Sequence, residues 1–163
     1  MLPETIQLET LRQKIEDSEY EAGDRSDYLS YGKPNPAQAK QAQELIEKLK
    51  VESKSARAEL NQLLGSLRAQ QPQAVEEWVN YHTCLLQKII DEKTEAVITP
   101  RKNVAKETLQ NWDKVRAGEL DYVNINWHFL KDYKASVRTI TGGSAKTAGK
   151  TKTESKSWFQ FWK

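Results

Sequence analysis

A chain of 163 residues with 37% hydrophobic and 29% charged residues, five Pro and seven Gly, suits one domain with a modest core. A single Cys excludes an internal disulfide, and no apolar run approaches the roughly 18 residues that span a bilayer. The net charge of +2 divides unevenly: residues 141–163 hold five Lys against one Glu, or +4, leaving 20 basic and 22 acidic side chains, or −2, for residues 1–140. A body so close to neutrality argues against nucleic-acid binding by the body itself. The N-terminus, MLPETIQLETLRQK, lacks the positive start and uniform apolar block of a signal peptide, so the expected location is cytoplasmic.

Pro3 suits the first position of a helix, and Leu8, Leu11 and Ile15 share a face, which predicts a short amphipathic helix over about 3–18. Residues 16–27 then carry six acidic side chains opposed only by Arg25, and Gly23, Gly32, Pro34 and Pro36 punctuate the stretch up to residue 36. That composition predicts a solvated linker anchored by Tyr28, Leu29 and Tyr31, with an acidic docking site as the sharper alternative.

The strongest pattern runs from Pro36 to Gln71. Ala42, Ile46, Leu49, Ser53, Ala56, Leu60, Leu63 and Leu67 recur at alternating steps of four and three, with Leu45 and Leu64 widening the stripe. So long an amphipathic helix needs another helix against its seam. Pro72 ends it and starts the next, over about 73–98, where Val75, Trp78, Val79, His82, Leu85, Leu86, Ile89 and Ile90 keep helical spacing. The short break predicts an antiparallel hairpin that sets Leu60, Leu63 and Leu67 near Trp78–Leu86; one helix kinked at Pro72 is the alternative. The seam could also pack across a dimer, so self-association is open.

Thr99-Pro100 marks another boundary. Val104, Leu109, Trp112 and Val115 predict a helix over about 101–117, stopped by Gly118. Tyr122, Val123, Asn126, Phe129, Leu130, Tyr133, Val137 and Ile140 continue at helical spacing, although YVNINWHF is also rich in strand formers. The expected fold class is therefore all-α: an elongated bundle over residues 1–140, built on a long antiparallel hairpin. A flexible, disordered basic linker over 141–157 and an aromatic peptide over 158–163 complete the expected organisation.

Catalytic and metal-binding patterns are scarce. The residues three before His82 and His128 are Val79 and Ile125, so the Glu-x-x-His of di-metal bundles is missing, as are paired Cys and a phosphate loop. No cofactor and no metal are expected, and no enzymatic activity. His82 and Cys84 point about 200° apart on a helix and cannot form a nucleophile–base pair. His82 reads as a packed, hydrogen-bonded core histidine and Cys84 as a small apolar residue. A metal shared by His82 and His128 is the weaker alternative. Trp78, Trp112 and Trp127 read as core, each indole N–H needing a partner.

SWFQFWK differs from the rest. Trp158, Phe159, Phe161 and Trp162 place four aromatics in five positions after a basic stretch containing Lys146, Lys150, Lys152 and Lys156. Three fates are open to them: a groove on a partner protein, folding back onto the body, or a lipid interface. The first gives the expected function, a protein-interaction adaptor or scaffold using the four aromatics as its contact. The alternative is a peripheral protein that meets nucleic acid or an anionic membrane through the basic, aromatic tail Lys146–Lys163.

Overall fold

The computed structural model describes residues 1–92, 99–125 and 128–142. These form five α-helices in the order α1 (Pro3–Tyr31), α2 (Pro36–Gln70), α3 (Pro72–Asp91), α4 (Thr99–Ala117) and α5 (Lys131–Arg138), followed by a 3-10 turn over Thr139–Thr141. The all-α class expected from the sequence is present, and the bundle is built on a long antiparallel hairpin. No described helix is long and apolar enough to cross a membrane.

The hairpin, however, has a different second arm. α2 packs chiefly on α1, while α3 packs chiefly on α4. α1 does not stop near residue 18 but continues to Tyr31. A Cβ added at Gly23 would meet nothing within 4 Å, so glycine there costs the helix about 1 kcal/mol relative to Ala. Contacts with α2 offset that: Ser18 is buried, and Glu19 accepts hydrogen bonds from Ser53 Oγ at 3.0 Å and from Arg57 at 3.0 and 2.6 Å. The acidic run is therefore a helix face rather than a linker. Gly32 ends α1 with its N–H bonded to Tyr28 O at 2.8 Å, and a Cβ there would lie 2.4 Å from the Tyr28 ring. Asn35 then opens α2 with a capping box, its side chain accepting from Gln38 N–H at 2.9 Å and its own N–H bonding Gln38 Oε1 at 3.1 Å.

The seam of α2 follows its sequence pattern with one shift. Ala42, Ile46, Leu49, Ser53, Ala56, Leu60, Leu64 and Leu67 are buried, whereas Leu63 is only partly buried. A straight helix repeats at 3.6 residues, and a strict alternation of four and three drifts off its face; a second step of four brings Leu64 back onto it.

α3 runs in the same sense as α1, since Thr5 meets Ala74 and Glu9 meets both Trp78 and His82. It also caps α1. Glu77 accepts from Leu2 N–H and from Thr5 Oγ1, both at 2.7 Å, satisfying the exposed start of the first helix; these bonds hold its carboxyl below the ordinary value of 4.5. α3 and α4 pair antiparallel: Arg116 bonds Glu76 at 3.1 Å and Asn80 at 2.8 Å, Trp78 meets Trp112 edge-on at 4.8 Å, and Arg101 approaches Glu92 at 3.3 Å. Gly118, at φ +80°, closes α4 as expected, with Gly118 N–H bonded to Val115 O and Glu119 N–H to Lys114 O.

Residues 120–125 depart from the expected helix. Their backbone is non-helical because side chains from α1 and α2 take its hydrogen bonds: Arg68 donates to Leu120 O at 3.1 Å, Arg12 to Val123 O at 3.3 Å, and Glu16 accepts from Ile125 N–H at 2.9 Å. Helix resumes at Lys131, where Tyr133 and Val137 turn into the core.

The register of α2 makes a direct test possible. Leu64→Ala should lower stability by about 2–5 kcal/mol, while Leu63→Ala, which leaves no closed cavity, should cost about 1 kcal/mol. Equal losses in chemical denaturation would contradict the shift.

Candidate functional site

Where α1, α3, α4 and α5 meet, the interior is polar. Thr5, Glu9, Arg12, Gln13 and Glu16 of α1 and His82 of α3 are all buried, Glu9, Arg12 and His82 completely. Helical spacing on α1 explains their convergence: Glu9, Arg12 and Glu16 are separated by three and four residues, so they share one face beside Leu8, Leu11 and Ile15.

The Glu9 carboxylate is the hub. Its Oε1 accepts from Arg12 Nη2 at 2.8 Å, Arg12 Nε at 3.0 Å and Gln13 Nε2 at 2.9 Å. Its Oε2 accepts from His82 Nε2 at 2.7 Å and Trp78 Nε1 at 2.9 Å. Burial alone would raise this carboxyl, but the Arg12 guanidinium and His82 outweigh it and hold Glu9 well below the usual carboxylate range. Arg12 is correspondingly pushed up: burial opposes its charge, and Glu9 and Glu16 more than compensate.

His82 continues the chain outward. Its Nδ1 lies 2.6 Å from Tyr133 Oη, and Tyr133 Oη accepts from Trp112 Nε1 at 3.0 Å. Burial pushes the imidazole below its ordinary 6.5 despite the attraction of Glu9, and it pushes the Tyr133 phenol well above 10.0. Neutral His82 with its proton on Nε2 fits every partner: Nε2–H donates to Glu9, and Nδ1 accepts the Tyr133 hydroxyl proton. The ring stacks on Trp112 at 3.8 Å with only 11° between planes, which fixes its rotation. Glu16 completes the cluster, pairing with Arg12 at 3.3 Å and with Lys134 Nζ at 3.2 Å.

This arrangement confirms His82 as a hydrogen-bonded core histidine and supplies indole partners for Trp78 and Trp112. It does not bring His82 and His128 together, because both ring nitrogens of His82 are engaged by Glu9 and Tyr133 and His128 is exposed. Cys84 is exposed rather than packed, as its position two residues beyond buried His82 dictates. Among the described residues no group of three His, Cys, Asp or Glu could hold a metal ion. The sequence reading missed Glu9, Arg12 and Glu16. Their signal was available: Thr5, Glu9, Arg12, Glu16 and Glu19 recur at steps of four and three, a polar seam beside the apolar one.

Trp127 and the tail residues Lys146, Lys150, Lys152, Lys156, Trp158, Phe159, Phe161 and Trp162 lie outside the described residues. The described chain reaches Gly142, and its last turn is fastened to α1. Thr141 Oγ1 bonds Gln13 Oε1 at 2.9 Å, Gln13 Nε2 donates to Val137 O at 3.2 Å, and Arg138 pairs with Asp17. The folded body thus extends slightly past the boundary expected at residue 140. Beside that anchor, α1 and α2 enclose an open cleft of about 490 Å³ whose lining includes Gln13, Asp17, Glu21, Leu49 and Glu52.

Compared with known proteins, the chain matches no family model, no curated protein and no solved structure.

The network yields two predictions. Glu9→Ala leaves Arg12 buried beside Glu16 alone and removes the acceptor for two ring N–H groups, so unfolding free energy should fall by about 3–5 kcal/mol; a loss below about 1 kcal/mol would mean the cluster is loosely held. The second concerns pH. The unfolded chain protonates His82 near 6.5, whereas the folded chain resists that proton to lower pH. The unfolded state therefore binds more protons below 6.5, and stability should fall on acidification from there, at up to about 1.4 kcal/mol per pH unit. His82→Gln should be less stable at pH 7 and show a flatter profile between about pH 5.5 and 6.5. Parallel profiles would refute this account.

Proposed function

We propose that the protein is a non-enzymatic interaction module, an adaptor or scaffold, in which the helical body is a pre-organised platform and Trp158, Phe159, Phe161 and Trp162 dock in an apolar groove of a partner protein. The observation that carries the reading is the aromatic density of SWFQFWK beyond a polar stretch rich in Lys and Gly. Aromatic anchors concentrated in a short segment are the usual carriers of interface energy. A second contact carried on the same chain acts at high effective concentration once the body is held nearby.

The interior supports a structural part for the body. Glu9, Arg12 and His82 are wholly buried and hydrogen-bonded to one another or to Gln13, Glu16, Trp78, Val123 O and Tyr133, so the groups best suited to acid–base chemistry face protein rather than solvent. That is the environment of a fold-specifying network.

Replacing Trp158, Phe159, Phe161 and Trp162 with Ser in the full chain should leave the melting temperature within about 2 °C, as for surface substitutions, while abolishing recovery of the partner. A drop of several degrees would instead make the tail part of the core. Changing Lys146, Lys150, Lys152 and Lys156 to Gln isolates the electrostatic alternative: binding to DNA or anionic lipid would weaken with these changes and fall steeply with added salt, whereas aromatic docking persists.

A further inference from the structure

The distal half of the α1–α2 hairpin has an exposed flank. Beyond Ser18 no residue of α1 is buried, although the helix continues to Tyr31. Along that flank Asp17, Glu21 and Asp24 succeed one another at steps of four and three, so their carboxylates form one stripe. Glu52 faces the stripe across the cleft, above a floor of Ser18 and Leu49, with Lys14 the one basic side chain of the lining. The ion pairs of Glu21 and Glu52 are loose, each 3.9 Å from its own helix neighbour, Arg25 or Lys48, and both carboxylates are near half exposed. On the other flank of the Ser18–Leu49 contact the charge reverses: that groove is lined by Lys50, Lys54 and Arg57 with Glu19.

The chain leaves the described body at this acidic flank. Gln13 and Asp17 line the cleft and also hold Thr141 and Arg138, the last turn before the tail. The tail itself is the strongly basic part of the sequence, five Lys against one Glu. The fifteen residues 143–157 have a contour length of up to about 50 Å, and the cleft wall from Thr10 to Glu21 is about 16 Å long, so the tail is long enough to reach all of it. The basic flank on the far side repels the same segment, which makes the choice of groove one-sided.

We infer that the basic tail of this chain lies in the acidic α1–α2 cleft of the same molecule, an intramolecular latch that a partner of the aromatic peptide must displace. A tether this short gives an effective concentration near the millimolar range, so even a contact with a Kd of about 0.5 mM would hold the tail in place for most of the time. Salt weakens the latch, because its carboxylates and ammonium groups are solvent-exposed. The inference rests on the docking reading of the tail, and its test separates the two.

Zero-length carbodiimide coupling of the full chain at low salt should join Lys146, Lys150, Lys152 or Lys156 to Glu21, Asp24 or Glu52 within species of monomer mass. Coupling confined to dimer mass, or spread over carboxylates elsewhere on the body, overturns the latch. Limited trypsin digestion supplies the second measurement: in the full-length Glu21→Lys/Glu52→Lys chain, cleavage after the tail lysines should be about threefold faster, matching release from a latch of the strength above. These exposed substitutions should leave the body folded. Unchanged cleavage overturns the latch, and if the tail still captures its partner the docking reading stands alone. Faster cleavage with stronger partner capture supports both. Faster cleavage with no aromatic-dependent partner leaves the latch and overturns the docking reading.

Discussion

One carboxylate in an enclosed interior determines how the helices of this protein can meet. Glu9 is wholly buried, and an isolated charge there would be prohibitively unfavourable. It is tolerable because N–H groups of Arg12, Gln13, Trp78 and His82 converge on its two oxygens. Two of those donors come from α3, so α1 and α3 cannot separate without stranding a charge. His82 passes the constraint to Tyr133 on α5, and Tyr133 passes it to Trp112 on α4. Arg12 reaches in the other direction, to Val123 O, and Glu16 to Ile125 N–H. Four helices and an irregular segment are thereby indexed to one side chain. Apolar contacts supply most of the attraction, but they tolerate sliding; this network does not.

The network also explains what the sequence disclosed and what it hid. The seam of α2, the stop at Pro72, the boundary at Pro100 and the cap at Gly118 were legible because each is set by local chemistry: periodicity, a missing N–H, a left-handed φ. The extent of α1 was not. Glu16 and Glu19 look like solvent-bound charges in a run of acids, and only Arg12, Lys134, Ser53 and Arg57, distant in sequence or hidden in the fold, turn them into packing residues. The same holds for residues 120–125, whose apolar spacing suits a helix while their backbone is claimed by Arg12, Glu16 and Arg68. A short α1 leaves the seam of α2 without its true cover, which is why the sequence assigns α3 the place along α2 that α1 occupies. His82 is legible because a histidine on an apolar helix face has few alternatives. Its acid partner is not, because the polar seam of α1 runs through residues that each look solvent-bound on their own.

Burial of so many ionisable groups separates the interior from anything the surface does. A polar core this densely hydrogen-bonded rigidifies its neighbours and admits few alternative packings. It is sensitive to protonation, since His82 and Glu9 both favour the folded state in their unprotonated forms. The acid side of the pH scale therefore works against the fold twice: first through His82 and, further down, through Glu9.

The interior and the tail are nonetheless connected by geometry. Gln13 sits in both: its amide nitrogen donates to Glu9 Oε1 and to Val137 O, while its amide oxygen accepts from Thr141. The residue that senses the hub thus also fixes the last turn of the body, and Arg138 reinforces that position through Asp17. Where the described body ends, beside Gln13 and Asp17 of α1, is set by the same hydrogen bonds that orient the core. Loosening Gln13 would free Thr141 while leaving Arg12, Trp78 and His82 on Glu9, so the last described turn can detach without loss of the core. The reverse is not available: a change at Glu9 disturbs Gln13 and, through it, the point from which the tail departs.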